Sequence, residues 1–177
     1  MPNVSLNNVA QADIRKLIGT RAYTSGAIAV ATDTTMVQSV ATITYTIDGK
    51  FCSKTATDNL WDFPLTVDVI QPGSAAPGLP VTAAFGGVGL GAITRYFFLG
   101  LDADGTAFAY ISNAPADADA SVLDGSVLPE VPDTVCIVGY VKVVTAAATA
   151  FTPRTTALGT GNTATYVNCA VIPSTLS

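Results

Sequence analysis

The run from Leu128 to Val144, LPEVPDTVCIVGYVKVV, constrains this chain more than any other stretch. Pro129 and Pro132 rule out a regular helix through its front half, because proline lacks an N–H and pushes the residue before it out of the helical region. Behind them, Val135 to Val144 is β-branched and aromatic with no break longer than one residue. A run that is apolar on both faces reads as a strand buried from two sides, around which other strands pack.

The same texture extends through most of the sequence. Tyr23 to Val30, Met36 to Ile47 and Leu65 to Ile70 are rich in strand-forming residues, and so are Thr145 to Phe151 and Thr163 to Ile172. Ile93 to Leu101 and Thr106 to Ser112 form a hairpin across the turn Asp102-Ala103-Asp104-Gly105. Asp48-Gly49 marks a second hairpin, whose register the hydrophobic pattern should choose. A two-residue loop would set Tyr45 opposite Cys52 and put Lys50 and Lys54 on the apolar Ile43/Tyr45/Ile47 face. The reading adopted is a three-residue loop with Gly49 as a bulge, which sets Tyr45 opposite Phe51. Residues 57–62 read as a turn. The expected fold is mainly β, an antiparallel β-sandwich or jelly-roll-like barrel of roughly eight to ten strands.

One helix is expected, at residues 8–19. Asn7 or Asn8 can cap it, Arg15 and Lys16 suit its C-terminal end, and Gly19 suits C′. Residues 1–21 then form an N-terminal arm and 22–177 a β domain, with a possible seam at the proline-rich loop 71–80. Ala10, Ile14, Leu17 and Ile18 share one face of the helix, and three of the eight basic residues (Arg15, Lys16, Arg21) crowd nearby. The helix either covers its own sheet or docks on a larger, acidic assembly; in the second case Ile14, Arg15, Lys16 and Arg21 are the docking residues.

Charged residues make up 12% of the 177 positions, about half the usual share. So uncharged a surface is weakly protected against association, which points to other subunits covering much of it. A net charge of −5 and scattered basic residues argue against nucleic acid as a partner. The long uncharged windows are cut by Pro, Gly or Asn, so none reads as a bilayer span. The first ten residues lack the pattern of a secretory signal. Cys52, Cys136 and Cys169 are odd in number and dispersed, which fits cytosolic synthesis and reduced, mostly buried thiols.

Catalytic groups are scarce. There is no histidine, so no Ser-His-Asp triad, Cys-His pair or imidazole ligand. The cysteines lack metal-site spacing, and no enzyme, cofactor or metal is expected. Gly87, Gly89 and Ala92 formally satisfy a dinucleotide fingerprint, but a strand follows where a helix is required. The DADG turn lacks the spacing of an EF-hand-type calcium loop. Seven acids lie between Arg95 and Lys142 and read as a solvated face, with an inter-subunit ion site or a docking patch as the functional options. Trp61 with Phe63 is either a sugar-stacking platform or a core plug at a strand end; the plug is preferred, because partly buried aromatics usually serve packing.

Two stretches carry a family resemblance. The proline-punctuated loop feeding VGYVKV, and the hairpin TYTIDGKFCSKTATDNLWD (Thr44 to Asp62), resemble segments of accessory structural proteins of tailed bacteriophages. Those proteins include capsid decoration (cement) proteins, head fibres and tail-fibre modules. The two stretches cover about a fifth of the chain. The resemblance implies a virion structural protein made in the host cytoplasm, a homotrimer on the capsid exterior with the major capsid protein as partner. The alternative it allows is a receptor- or glycan-binding fibre module using Trp61, Phe63 and the 71–80 loop.

Overall fold

The computed structural model describes residues 19–63, 85–111, 116–117 and 131–169. The expected helix at 8–19, the strand Leu65 to Ile70 and the 71–80 seam lie outside them, apart from Gly19. The described residues hold strands and turns and no helix. Thirteen strands follow in order among them. They are β1 (Arg21–Ala22), β2 (Ile28–Val30), β3 (Met36–Ser39), β4 (Ile43–Ile47), β5 (Lys50–Lys54) and β6 (Thr57–Asp62), then β7 (Phe85–Gly86), β8 (Ile93–Leu101), β9 (Ala107–Ile111), β10 (Ala116–Asp117), β11 (Cys136–Thr145), β12 (Ala150–Phe151) and β13 (Asn162–Asn168). All pairings are antiparallel, and among the described residues no sheet closes into a barrel.

β11 is central, as its composition demands. It pairs with β8 on one side and β13 on the other, in a sheet ordered β10-β8-β11-β13 with β9 also paired to β8. Its burial corrects the expectation of a strand covered on both faces. Val141, Val143 and Thr145 are buried, whereas Ile137, Tyr140, Lys142 and Val144 are partly exposed. A bulge between Ile137 and Gly139 shifts the alternation, so that Cys136 and Val138 lie inside before the bulge and Gly139 after it. The doubly buried strand is β8, where every residue from Tyr96 to Leu101 is buried.

Two three-stranded sheets, β1-β4-β5 and β2-β3-β6, complete the core. The chain alternates between them, giving β1 to the first, β2 and β3 to the second, β4 and β5 to the first and β6 to the second. Both meet the five-stranded sheet through side chains. Ile28 of β2 packs so close to Gly139 that a β-carbon there would collide with its Cδ1. Phe63, just after β6, stacks on Phe97 of β8 with ring centroids 4.2 Å apart, and Phe85 and Phe151 join the cluster. β7 and β12 form a separate two-stranded ribbon that carries those last two rings.

The β4–β5 hairpin overturns the expected register. Tyr45 pairs with Cys52 and Ile47 with Lys50, so the loop is the two residues Asp48 and Gly49. Both have positive φ, 47° and 72°, as a type I′ turn requires, and that turn matches the natural strand twist. Cross-strand partners point the same way, so Lys50, Cys52 and Lys54 share the face of Ile43, Tyr45 and Ile47. Among the described residues β5 is an edge strand, which lets the lysine stems run past the core to solvent.

Three further expectations change. Residues 57–62 form β6 rather than a turn. Met36 to Ile47 splits into β3 and β4, which belong to different sheets. Beyond Thr145 the chain turns through residues 146–149 before β12.

Candidate interaction surface

Of the expected docking residues, Ile14, Arg15 and Lys16 lie outside the described residues. Arg21 opens β1 and pairs with Thr46 of β4, which pairs in turn with Phe51 of β5. The three side chains therefore stand in a row on the outer face of this sheet. Thr46 between them is fully buried, its hydroxyl donating to the Gly19 carbonyl at 2.8 Å. Phe51 is 66% exposed and stacks on Tyr23, ring centroids 5.6 Å apart and planes 30° from parallel. This stacked pair lies against the point where residues 19–21 lead into β1.

Trp61 and Phe63 take the packing role. Both are fully buried, so neither offers a ring face to a sugar. The Trp61 indole N–H donates to the Gly100 carbonyl at 3.0 Å, and Phe63 is held under Phe97. The end of β6 is fixed by Arg154, whose guanidinium bonds the Phe63 carbonyl at 3.0 Å and Asp62 at 2.7 Å. Asp58 and Asn59 explain why a strand as polar as β6 forms, because their side chains accept the main-chain N–H groups of Thr32 and Asp33.

The glycine loop is a turn between ribbon and sheet. The Leu90 N–H reaches the Gly87 carbonyl, Val88 is 95% exposed and Leu90 is also exposed. Strand β8 follows at Ile93, so the loop aims no helix N-terminus at a phosphate. In the DADG turn, Asp102 Oδ1 accepts the N–H groups of Asp104 and Thr106, which commits that oxygen to the turn itself. Beside the turn lies an open cleft of about 360 Å³, walled by Ile47, Phe108, Pro132 and Val135 together with Asp102 and Asp104.

Electrostatics favour inert groups. Burial pushes the Cys136 thiol up to about 12, with smaller contributions from Cys52 and Cys169, so it stays protonated and unreactive. Burial likewise raises the Cys169 thiol and lowers the Arg95 guanidinium. All three cysteines are free. Among the described residues no group of three His, Cys, Asp or Glu side chains is placed to hold a metal ion. Asp119, Asp124 and Glu130 lie outside those residues, and of Asp117 only the backbone in β10 is described.

Comparison with protein-family models, with curated proteins and with solved structures finds no match to this chain.

Sequence reasoning missed Phe51. The signal was present, because the two-residue loop already written in Asp48-Gly49 turns Phe51 away from the Tyr45 face. The lysines on the opposite face argued for the other register and hid it.

Proposed function

We propose that this chain is a non-enzymatic structural protein of a tailed-phage virion, a decoration protein that binds the capsid exterior as a homotrimer. In this reading the three larger sheets are the two layers of an antiparallel β-sandwich, and the outer face of β1-β4-β5 is the docking surface. The observation that carries it is the aromatic pair in which exposed Phe51 stacks on half-buried Tyr23, two residues beyond Arg21. Aromatic anchors of this kind contribute disproportionately to protein–protein affinity. The low charge of the chain agrees, since a surface covered by neighbours has less need of charge. A decoration protein stabilises a shell by adding buried interface across adjacent capsid subunits, which favours the assembled state by mass action.

Immunogold labelling of intact particles tests the location. Gold spread evenly over the head supports decoration; gold confined to the tail tip, or no label at all, overturns it. Phe51→Ser tests the surface. The variant should keep its fold and thermal midpoint while losing at least about tenfold in affinity for capsids, as for an anchor contributing more than 1.4 kcal/mol. Unchanged affinity would remove Phe51 from the interface.

A further inference from the structure

The sheet edges of this protein are protected unequally. β1, β7 and β12 are two residues long and β2 is three. β5 carries Lys50 and Lys54, and β6 carries Asp58 and Asp62. β9 lies against β6. Short length, charge and cover are the devices by which edge strands avoid pairing with other chains. β13 touches β2 at its Asn168 end but has neither short length nor charge. It is seven residues long, uncharged, free of proline and glycine, and paired to β11 through seven consecutive positions without a bulge. Among the described residues no strand pairs with its outer edge.

Both ends of β13 are fixed by asparagine side chains. Asn162 donates to the carbonyls of Ala157 and Thr160 and accepts the Gly159 N–H, which closes the turn before the strand. Asn168 accepts the N–H of Ile28 and ties the other end to β2. The edge between them is therefore preorganised, and ordering it costs little on association. Thr163 and Thr165 are exposed along it.

We propose that β13 pairs antiparallel with β13 of a second copy of this chain, across a two-fold axis at Thr165, joining two five-stranded sheets into one. The occupant follows from self-complementarity. An axis at Thr165 sets Thr165 opposite itself, Ala164 opposite Tyr166 and Thr163 opposite Val167, with no charge in any pair. Threonine pairs are favourable across antiparallel strands. The same operation on β5 would face Lys50 with Lys54, and like charges directly opposite are destabilising. A two-fold contact at β13 together with a three-fold contact elsewhere would give six copies, and β13 alone gives two.

Light scattering after size exclusion of the full chain tests the proposal, with Thr165→Lys and Thr165→Glu alongside and circular dichroism to verify folding. Either variant should have half the wild-type mass, because identical charges meet on the axis. Mixing the two should restore the wild-type mass by placing Lys opposite Glu. Equal masses for wild type and both variants overturn the proposal. If Thr165→Lys fails to fold, Thr163→Lys, at an exposed position on the same edge, should also lower the mass, because it sets a lysine against Val167 on both sides of the axis. A mass of three copies that Thr165→Lys leaves unchanged overturns the β13 pairing while supporting the trimer; a fall from two copies to one supports the pairing and removes the trimer.

Discussion

The phenol of Tyr45 donates to the main-chain carbonyl of Asp102 at 2.6 Å, tying the β4–β5 hairpin to the turn between β8 and β9. The Tyr110 hydroxyl, which the Asp102 carboxylate also influences, is buried with no hydrogen-bond partner among the described residues. Opposite outcomes follow for one substitution at two sites. Tyr45→Phe should destabilise by about 1 kcal/mol, lowering the thermal midpoint by about 2–4 °C. Tyr110→Phe removes an unsatisfied buried group and should be neutral or raise stability by up to about 1 kcal/mol. Denaturant titration of both variants checks the contrast, and equal losses would contradict the hydrogen-bond assignment.

These phenols also set the alkaline limit of the fold. Burial pushes Tyr45 and Tyr110 from 10.0 up to about 12, and the Cys136 thiol from 9.0 up to about 12. The folded protein keeps these protons where the unfolded chain gives them up. Their contribution is therefore intact below pH 9 and is lost as the pH rises from 9 toward 12. Thermal midpoints measured across that window should fall steadily, and Cys136→Ala should flatten the first part of the decline.

Trp61, the single tryptophan, should report global unfolding. Fully buried and bonded to Gly100, its fluorescence should be blue-shifted and poorly quenched by acrylamide until the core opens. Trp61→Phe should cost about 2 kcal/mol and Trp61→Ala about 4 kcal/mol, measured by denaturant midpoint. Emission already quenched in the native state would contradict the packing of β6 on the large sheet.

Gly139 should not accept a side chain. A β-carbon there would lie 2.5 Å from the Val167 carbonyl oxygen of β13 and closer still to Ile28 Cδ1. Gly139→Ala should destabilise by about 1–3 kcal/mol. Ile28→Ala in the same chain should relieve only part of this, because the Val167 oxygen belongs to a paired backbone. Full rescue would mean that β13 yields more readily than its regular pairing suggests.

Four of the five strands of the large sheet, β8, β9, β11 and β13, were legible because their signals are local, whereas β10 was not read as a strand. Val135 to Val144 declares itself by β-branching, and the β8–β9 hairpin by the DADG turn between two apolar runs. The β4–β5 register was misread because two local rules disagreed. Asp48-Gly49 asked for a two-residue turn, whereas Lys50 and Lys54 argued against sharing the Tyr45 face. Turn geometry won, since an edge strand lets lysine reach water. β6 was unreadable for another reason: Asp58 and Asn59 look like turn residues, and their strand role depends on bonds to Thr32 and Asp33, 26 positions earlier. The candidate surface was half legible, through Arg21, while Phe51 depended on the register.

The alternation of the chain between its two smaller sheets has a kinetic consequence. Neither sheet gathers its strands in one continuous segment, and β11 waits for β13 to be synthesised before its second edge is covered. Pairings between strands distant in sequence close slowly. Until residue 168 has left the ribosome the unpaired edge of Val141 to Val144 stands open, so crowding of nascent chains, more than any marginal stability of the finished fold, should govern how much of this protein is recovered intact.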